Sequence, residues 1–388
     1  MKFTYLYRLA FLILSSILFT KPLSDNASIS IITCGSGLDL YTKYGHNAIR
    51  IYDPQYNINT VYDFGIFDFN TPQFYLKFIQ KKLDYRVDKS NYKRFKYKYL
   101  QSKRDFKEQY LNLNTNEIQL IANLLEENYK PENRFYRYDF LTDNCSSKIR
   151  DVLSNTLANK IYFPDSSDSK SFRQHLNAYN PISTWIGFGM NLIMGLEADK
   201  MANSTDYMFL PDGVFTVLSE TEINRDGQTE PLVNNTETKI FERINLDDST
   251  SIFIIFWSLF IIIFLLTYLE LSGYLHNLNI LDSFIFGISG LLGVIFLLLW
   301  IVSDHPIFSM NLNVLWALPT HLVVAVFLLI KKPMCKSYWK YTSILLFIVL
   351  AGWPFSPQEL PAPLYPFLMI LFIRILMQYR KISMELSN

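Results

Sequence analysis

The chain has 388 residues, half of them hydrophobic, and a formal net charge of +1. That length leaves room for two domains, and so small a charge excludes the large positive excess a nucleic-acid binder carries. No Cys-x-x-Cys pair, His-Glu-x-x-His motif or phosphate-cradling glycine loop occurs, so no metal or organic cofactor is expected.

The N-terminus reads Met-Lys-Phe-Thr-Tyr-Leu-Tyr-Arg and continues into about a dozen apolar residues, the pattern of a secretory signal. No small-x-small cleavage site follows, so segment 1–25 is expected as a signal sequence or a retained anchor. Cys34 is preceded by Ser-Ile-Ile-Thr and is no lipid acceptor of the lipoprotein kind. Residues 27–33 form a β-rich run that ends at Cys-Gly-Ser-Gly-Leu-Asp. Asn47 to Tyr52 alternates polar and apolar residues before the Asp53-Pro54 turn, and Thr60 to Phe69 is another β-like run. Residues 85–113, rich in Tyr and Lys, read as strands around a helix. Ile118, Ile121, Leu124 and Leu125 have helical spacing. Ile149, Val152 and Leu153 repeat that spacing, which makes Asn144-Cys145-Ser146 the opening of a helix.

This placement gives Cys145 chemical meaning. The orphaned amides and dipole of a helix N-terminus favour negative charge, so a thiol there ionises more easily. His46, in Tyr-Gly-His-Asn-Ala-Ile-Arg-Ile, opens a strand and is the candidate base. Asp63 on the next β run is the candidate third group that orients it, with Asn47 as rival. Backbone amides around Cys145, with Asn144, are candidates for an oxyanion hole. Other readings stay open: Cys145 as a buried structural thiol, or bridged to Cys34, since an exported compartment permits disulfides.

Between residues 77 and 108, twelve Lys or Arg and four Asp or Glu are interleaved with tyrosines. The stretch reads either as a solvated strand face or as a surface for anionic headgroups. Residues 185–195 are apolar but too short to span a bilayer, and 221–250 read as a polar linker. Five apolar segments follow, roughly 251–270, 281–302, 312–330, 341–356 and 363–379, each approaching the ~20 residues a bilayer crossing needs. Lys331, Lys332, Lys336 and Lys340 lie between the third and fourth, and Arg380 and Lys381 follow the fifth; the loops at 303–311 and 356–362 hold no Lys or Arg. The asymmetry puts the basic loops and the C-terminal tail 381–388 in the cytoplasm and the polar domain outside it. On that outer side the loop holding His305, Asn311 and Asn313 either is simply interfacial or meets a lipid headgroup.

The strings Ile-Thr-Cys-Gly-x-Gly-x-x-Leu-Tyr-x-x-Tyr-Gly-His-x-Ala-Ile-Arg-Ile and Tyr-Asp-Phe-Leu-x-Asp-Asn-Cys-Ser-x-x-Ile-Arg resemble those of the Lnb-type lipoprotein N-acyltransferases of Bacteroides-like bacteria. Gly189-Met-Asn-Leu-Ile-Met-Gly, Ala198-Asp-Lys, Phe209-Leu-Pro and the His-Pro…Asn-Leu-Asn…Trp loop are similar too. The resemblance implies an α+β, permuted papain-like (NlpC-type) thiol domain over 26–220, then an all-α transmembrane domain of about five helices over 251–380. By the same analogy His46 is base and Cys145 nucleophile. Tyr44, Arg150, His305, Asn311 and Asn313 are the candidate substrate-binding residues of this reading. The expected activity moves an acyl chain from a membrane lipid, through a Cys145 thioester, to the α-amino group of a lipoprotein. The expected site of action is the bacterial inner membrane, with the catalytic domain periplasmic. A thiol hydrolase of peptides or lipids, and a non-catalytic envelope assembly protein with a Cys34–Cys145 disulfide, are the alternatives.

Overall fold

The computed structural model of the chain describes residues 22–164, 170–241 and 252–385. The signal-like stretch before residue 22 lies outside the described residues. Within them the chain divides into two compact units. The first holds residues 22–74, 83–164 and 203–241; the second holds 75–82, 170–202 and 252–385.

The first unit is built on a seven-stranded antiparallel sheet. Its strands are β1 (Ser28–Cys34), β2 (His46–Asp53), β3 (Ile58–Ile66), β4 (Asp84–Asn91), β5 (Phe106–Leu111), β6 (Phe135–Arg137) and, last in sequence, β10 (Val233–Lys239). They lie in the order β10-β5-β1-β2-β3-β4-β6. The central strands are apolar on both faces, because helices cover both. Ile32, Cys34, Ala48, Val61 and Phe106 pack under Phe95 and Tyr99 of helix α1 (Tyr92–Gln101). On the opposite face Ile29, Ile31, Ile49, Ile51, Tyr62 and Phe64 form the main core. There they meet α2 (Thr115–Tyr129), α3 (Cys145–Leu157) and α4 (Pro211–Glu220). Side chains alternate across a strand, so neighbouring residues of β2 serve different layers.

Two expectations about boundaries need correction. The domain expected over 26–220 is interrupted, because residues 75–82 and 170–202 belong to the second unit. The expected linker 221–250 is instead partly sheet: β8 (Glu222–Arg225) and β9 (Gln228–Pro231) join β7 (Ile161–Tyr162), and β10 extends the main sheet along β5. The side chains of β10 are nearly all exposed. Its main-chain bonds to β5 hold it, and no apolar period announces it.

The second unit is helical. Its long helices are α5 (Ile252–Leu271), α6 (Asn279–Val302), α7 (Thr320–Leu329), α8 (Lys336–Gly352) and α9 (Tyr365–Glu385). Among the described residues three helices are long and apolar enough to cross a membrane, or up to four if the bent pair Pro306–Leu315 and Thr320–Leu329 is one span. The segment expected over 341–356 begins earlier, at Lys336, and α8 has 17 residues. Three of these helices meet around one buried cation. Arg374 of α9 bonds Asp282 of α6 at 2.5 and 2.9 Å, Glu270 of α5 at 2.8 Å and Thr267 at 2.9 Å. Lys381 pairs with Glu270 at 2.7 Å, and Gln378 donates to Asp282 at 2.6 Å. Charges survive in such surroundings only when each finds its partner.

Candidate active site

The Asn144 cap fixes the start of α3. Its side-chain oxygen accepts from the Ser146 and Ser147 amides at 2.8 and 3.0 Å, while Ser147 Oγ accepts from the Asn144 amide at 2.8 Å. Asn144 Nδ2 donates to the carbonyls of Phe140 and Phe209, at 2.8 and 2.9 Å. The loop before it is held by Asp139, whose carboxylate receives the Leu141 and Thr142 amides and the Thr142 hydroxyl at 2.9–3.0 Å. Cys145 is therefore the first residue of a capped helix, with little freedom left in its backbone.

The strand side is held as firmly. His46 and Asn47 are consecutive, so one turns to each face of the sheet. Asn47 is fully buried; it donates to Thr33 Oγ1 at 2.8 Å and accepts from Ser146 Oγ at 2.7 Å, which ties β2 to the first turn of α3. Its backbone N–H also points at the Cys145 sulfur. His46 lies 2.5 Å through Nε2 from Asp63 Oδ1, and its ring stacks at 6.2 Å on Tyr99. The imidazole and the Cys145 thiol are close enough for each to shift the other's proton affinity.

These neighbours decide the charges. Burial alone would lower the His46 pKa, but Asp63 and Cys145 outweigh it and raise it to about 10. Burial would raise the Cys145 pKa, yet His46 and the Asn47 N–H bring it below the usual thiol value. The two shifts run in opposite directions and both favour the thiol proton residing on the imidazole. Cys34 contrasts with it: buried among Ile32, Ala48 and Phe106, its thiol is pushed well up by burial. Both Cys34 and Cys145 are free cysteines, so the disulfide between them, one of the readings the sequence left open, is not formed.

Gly65 completes the site. Its φ of +91° and the bulge between Asp63 and Ile66 turn β3 aside beside the thiol. A Cβ built there would come 3.5 Å from Cys145 Cβ, 3.9 Å from His46 Cε1 and 4.0 Å from Tyr136 Oη. The Cys145 thiol, the His46 imidazole and a phenol border the space this glycine leaves open. Among the described residues no group of three or more His, Cys, Asp or Glu could hold a metal ion.

The two halves of the chain match two family profiles. Residues 22–184 match the Lnb N-terminal periplasmic domain, and residues 247–385 match the Lnb transmembrane domain. The chain belongs to the Lnb-type lipoprotein N-acyltransferase family. No curated protein and no solved structure matches it. As an Lnb protein it is a membrane-associated lipoprotein-modifying enzyme of the inner membrane, with a periplasmic N-terminal domain.

Other residues singled out in the Lnb-like strings have different places. The Asn144 side chain is consumed by its cap and by two carbonyls, which corrects its expected part in an oxyanion hole. In the second unit, Asn311 and Asn313 both donate to Leu192 O, at 2.7 and 2.9 Å, and are buried. His305 is buried too, with Nε2 2.8 Å from Phe78 O. All three knit the second unit internally, which corrects their expected contact with lipid headgroups. Arg150 binds Asp151 at 2.9 Å and the Thr205 carbonyl at 3.3 Å, and Tyr44 packs edge-on against Phe140 at 5.3 Å. Gly65 and Tyr136, which border the Cys145 thiol, were not singled out from the sequence. A glycine inside a β-rich run, Thr-Val-Tyr-Asp-Phe-Gly, was the available signal for the first.

Proposed function

We propose that this chain is a membrane-anchored cysteine acyltransferase that N-acylates lipoproteins. The observation that carries the reading is the Cys145 thiol at a helix N-terminus, beside His46 across the space over Gly65, with Asp63 behind the imidazole. The thiol unit is read as a permuted papain-like fold, because the histidine strand precedes the cysteine helix. The thiolate attacks an ester carbonyl of a membrane lipid, and the His46 imidazolium hands its proton to the departing alcohol. That leaves a thioester on Cys145 and a neutral imidazole. The α-amino group of a lipoprotein's lipidated N-terminal cysteine then attacks the thioester while His46 takes up its proton, and the thiolate is regenerated. Asp63 keeps the imidazole in one tautomer and orientation through both half-reactions. Both substrates are confined to a bilayer, which is the physical reason for a thiol unit to continue into apolar helices, with the basic loops and C-terminus on the cytoplasmic side.

Mass spectrometry of a lipoprotein's N-terminal peptide, from cells carrying the wild-type chain or Cys145→Ala, tests this. The third acyl chain is expected to disappear in the variant while the level of the protein holds. A peptide triacylated in both would rule out transfer to lipoproteins and leave hydrolysis of lipid or peptide as the reading to pursue.

A further inference from the structure

Attack on an ester creates negative charge on the carbonyl oxygen, and a site that catalyses it aims donors at that oxygen. Asn144 has no donor left to give. The Cys145 amide, at the first position of α3, belongs to the group that a helix leaves without intrahelical acceptors. A second donor is needed, and the space over Gly65 shows one. Tyr136 sits on β6, the last strand of the sheet, with Lys148 packed over its ring at 4.5 Å. Its hydroxyl oxygen is buried, and no group among the described residues receives its proton. A buried O–H without an acceptor costs roughly 1–3 kcal/mol, and this one borders the space over Gly65 beside Cys145 and His46. The Gly65 amide approaches the phenol oxygen, which leaves the oxygen's own proton free to turn elsewhere.

We propose that Tyr136 is a catalytic residue that donates a hydrogen bond to the oxyanion formed over Gly65, with the Cys145 amide as the other donor. The proposal rests on the acyl-transfer reading above. In the step it serves, the Cys145 sulfur forms a bond to the ester carbon and the C=O π pair moves onto oxygen. Tyr136 donates to that oxygen and keeps its proton. The oxyanion then collapses, the bond from carbon to the alcohol oxygen breaks, and the His46 proton goes to the alcohol. Burial and the neighbouring Cys145 charge push the phenol pKa well up, so the hydroxyl remains a donor across the working range. Gly65 suits this position because its φ of +91° is one that side chains rarely adopt and because a Cβ there would enter the space that Cys145, His46 and Tyr136 border.

The test compares two reactions of the same thiol in the full-length chain, in a Cys335→Ser background that removes the exposed cysteine. Acylation by p-nitrophenyl butyrate passes through an oxyanion; alkylation by iodoacetamide does not. Tyr136→Phe is expected to slow acylation on the order of 10²–10³-fold and to leave the rate and pH dependence of alkylation as in the wild type. Equal slowing of both reactions would make Tyr136 a structural support and overturn the proposal, as would acylation at the wild-type rate. If the wild-type chain releases p-nitrophenol no faster than Cys145→Ala, the acyl-transfer reading itself fails, and the oxyanion role falls with it.

Discussion

His46 and Asn47 divide the work of the site between the two faces of one strand. His46, the proton acceptor of the proposed mechanism, is held 2.5 Å from Asp63, and Asn47 supplies a buried clamp on the first turn of α3. Asp63 acts on the sulfur only through the imidazole. Removing its charge has two consequences with a fixed sign. The His46 pKa, now raised to about 10, falls, and the Cys145 pKa rises because its counter-charge is less stable. In the wild type, ester acylation should therefore show a plateau. Below it the thiolate takes up a proton, and above about 10 the imidazolium that serves the leaving alcohol is lost. Asp63→Asn should narrow that plateau from both sides and reduce kcat roughly 10²–10⁴-fold. The pH–rate profile of acylation checks this: a variant profile that superimposes on the wild type would remove Asp63 from the mechanism.

At the scale of elements, the start of α3 is where the helix cap and the proposed nucleophile coincide. The Asn144 cap accepts two amides and donates to two carbonyls, from Phe140 and Phe209. Asn144→Ala should cost roughly 0.5–2 kcal/mol for the cap, with a further loss from the carbonyls it orphans. The thermal unfolding midpoint of the full chain in detergent should fall accordingly, and Asn144→Asp, which keeps the acceptor alone, should lie between. An unchanged midpoint for Asn144→Ala would show that the cap does not hold the helix. Much of this element was legible beforehand, since Asn-Cys-Ser before Ile149, Val152 and Leu153 is a cap followed by an apolar stripe. So was the helix that opens at Thr115. Strand β10 was not, because Asn, Thr and Glu carry no period when a strand is held by its backbone and exposed on both sides. Nor were the tasks of Asn311 and Asn313, whose shared acceptor, Leu192 O, is more than a hundred residues away.

At the scale of the whole molecule, the apolar helices are joined by charge as well as by packing. Arg374 holds Asp282 and Glu270 with none of its side chain exposed. Arg374→Leu would leave Asp282 without its cation and should destabilise the chain by roughly 3–5 kcal/mol. Glu270 keeps Lys381. Unfolding in detergent micelles checks both the loss and its cause, because Arg374→Leu with Asp282→Leu should be more stable than Arg374→Leu alone. If the double variant is the weaker of the two, uncompensated charge is not what the single change exposes.

Residues 170–202 follow the thiol helix in sequence yet build the helical unit. Arg173 is wholly buried there against Asp199 and the Met194 and Gly195 carbonyls, and a Cβ on Gly195 would lie 1.8 Å from Ser309 O. A gene fusion cut near residue 247, where the transmembrane profile begins, would carry this insert away from the loop it was shaped against. Inheritance of the two halves is therefore coupled. Recombination can exchange them only as a pair, and variation at Gly195 should track variation at residues 307–311 across descendants of a common ancestor.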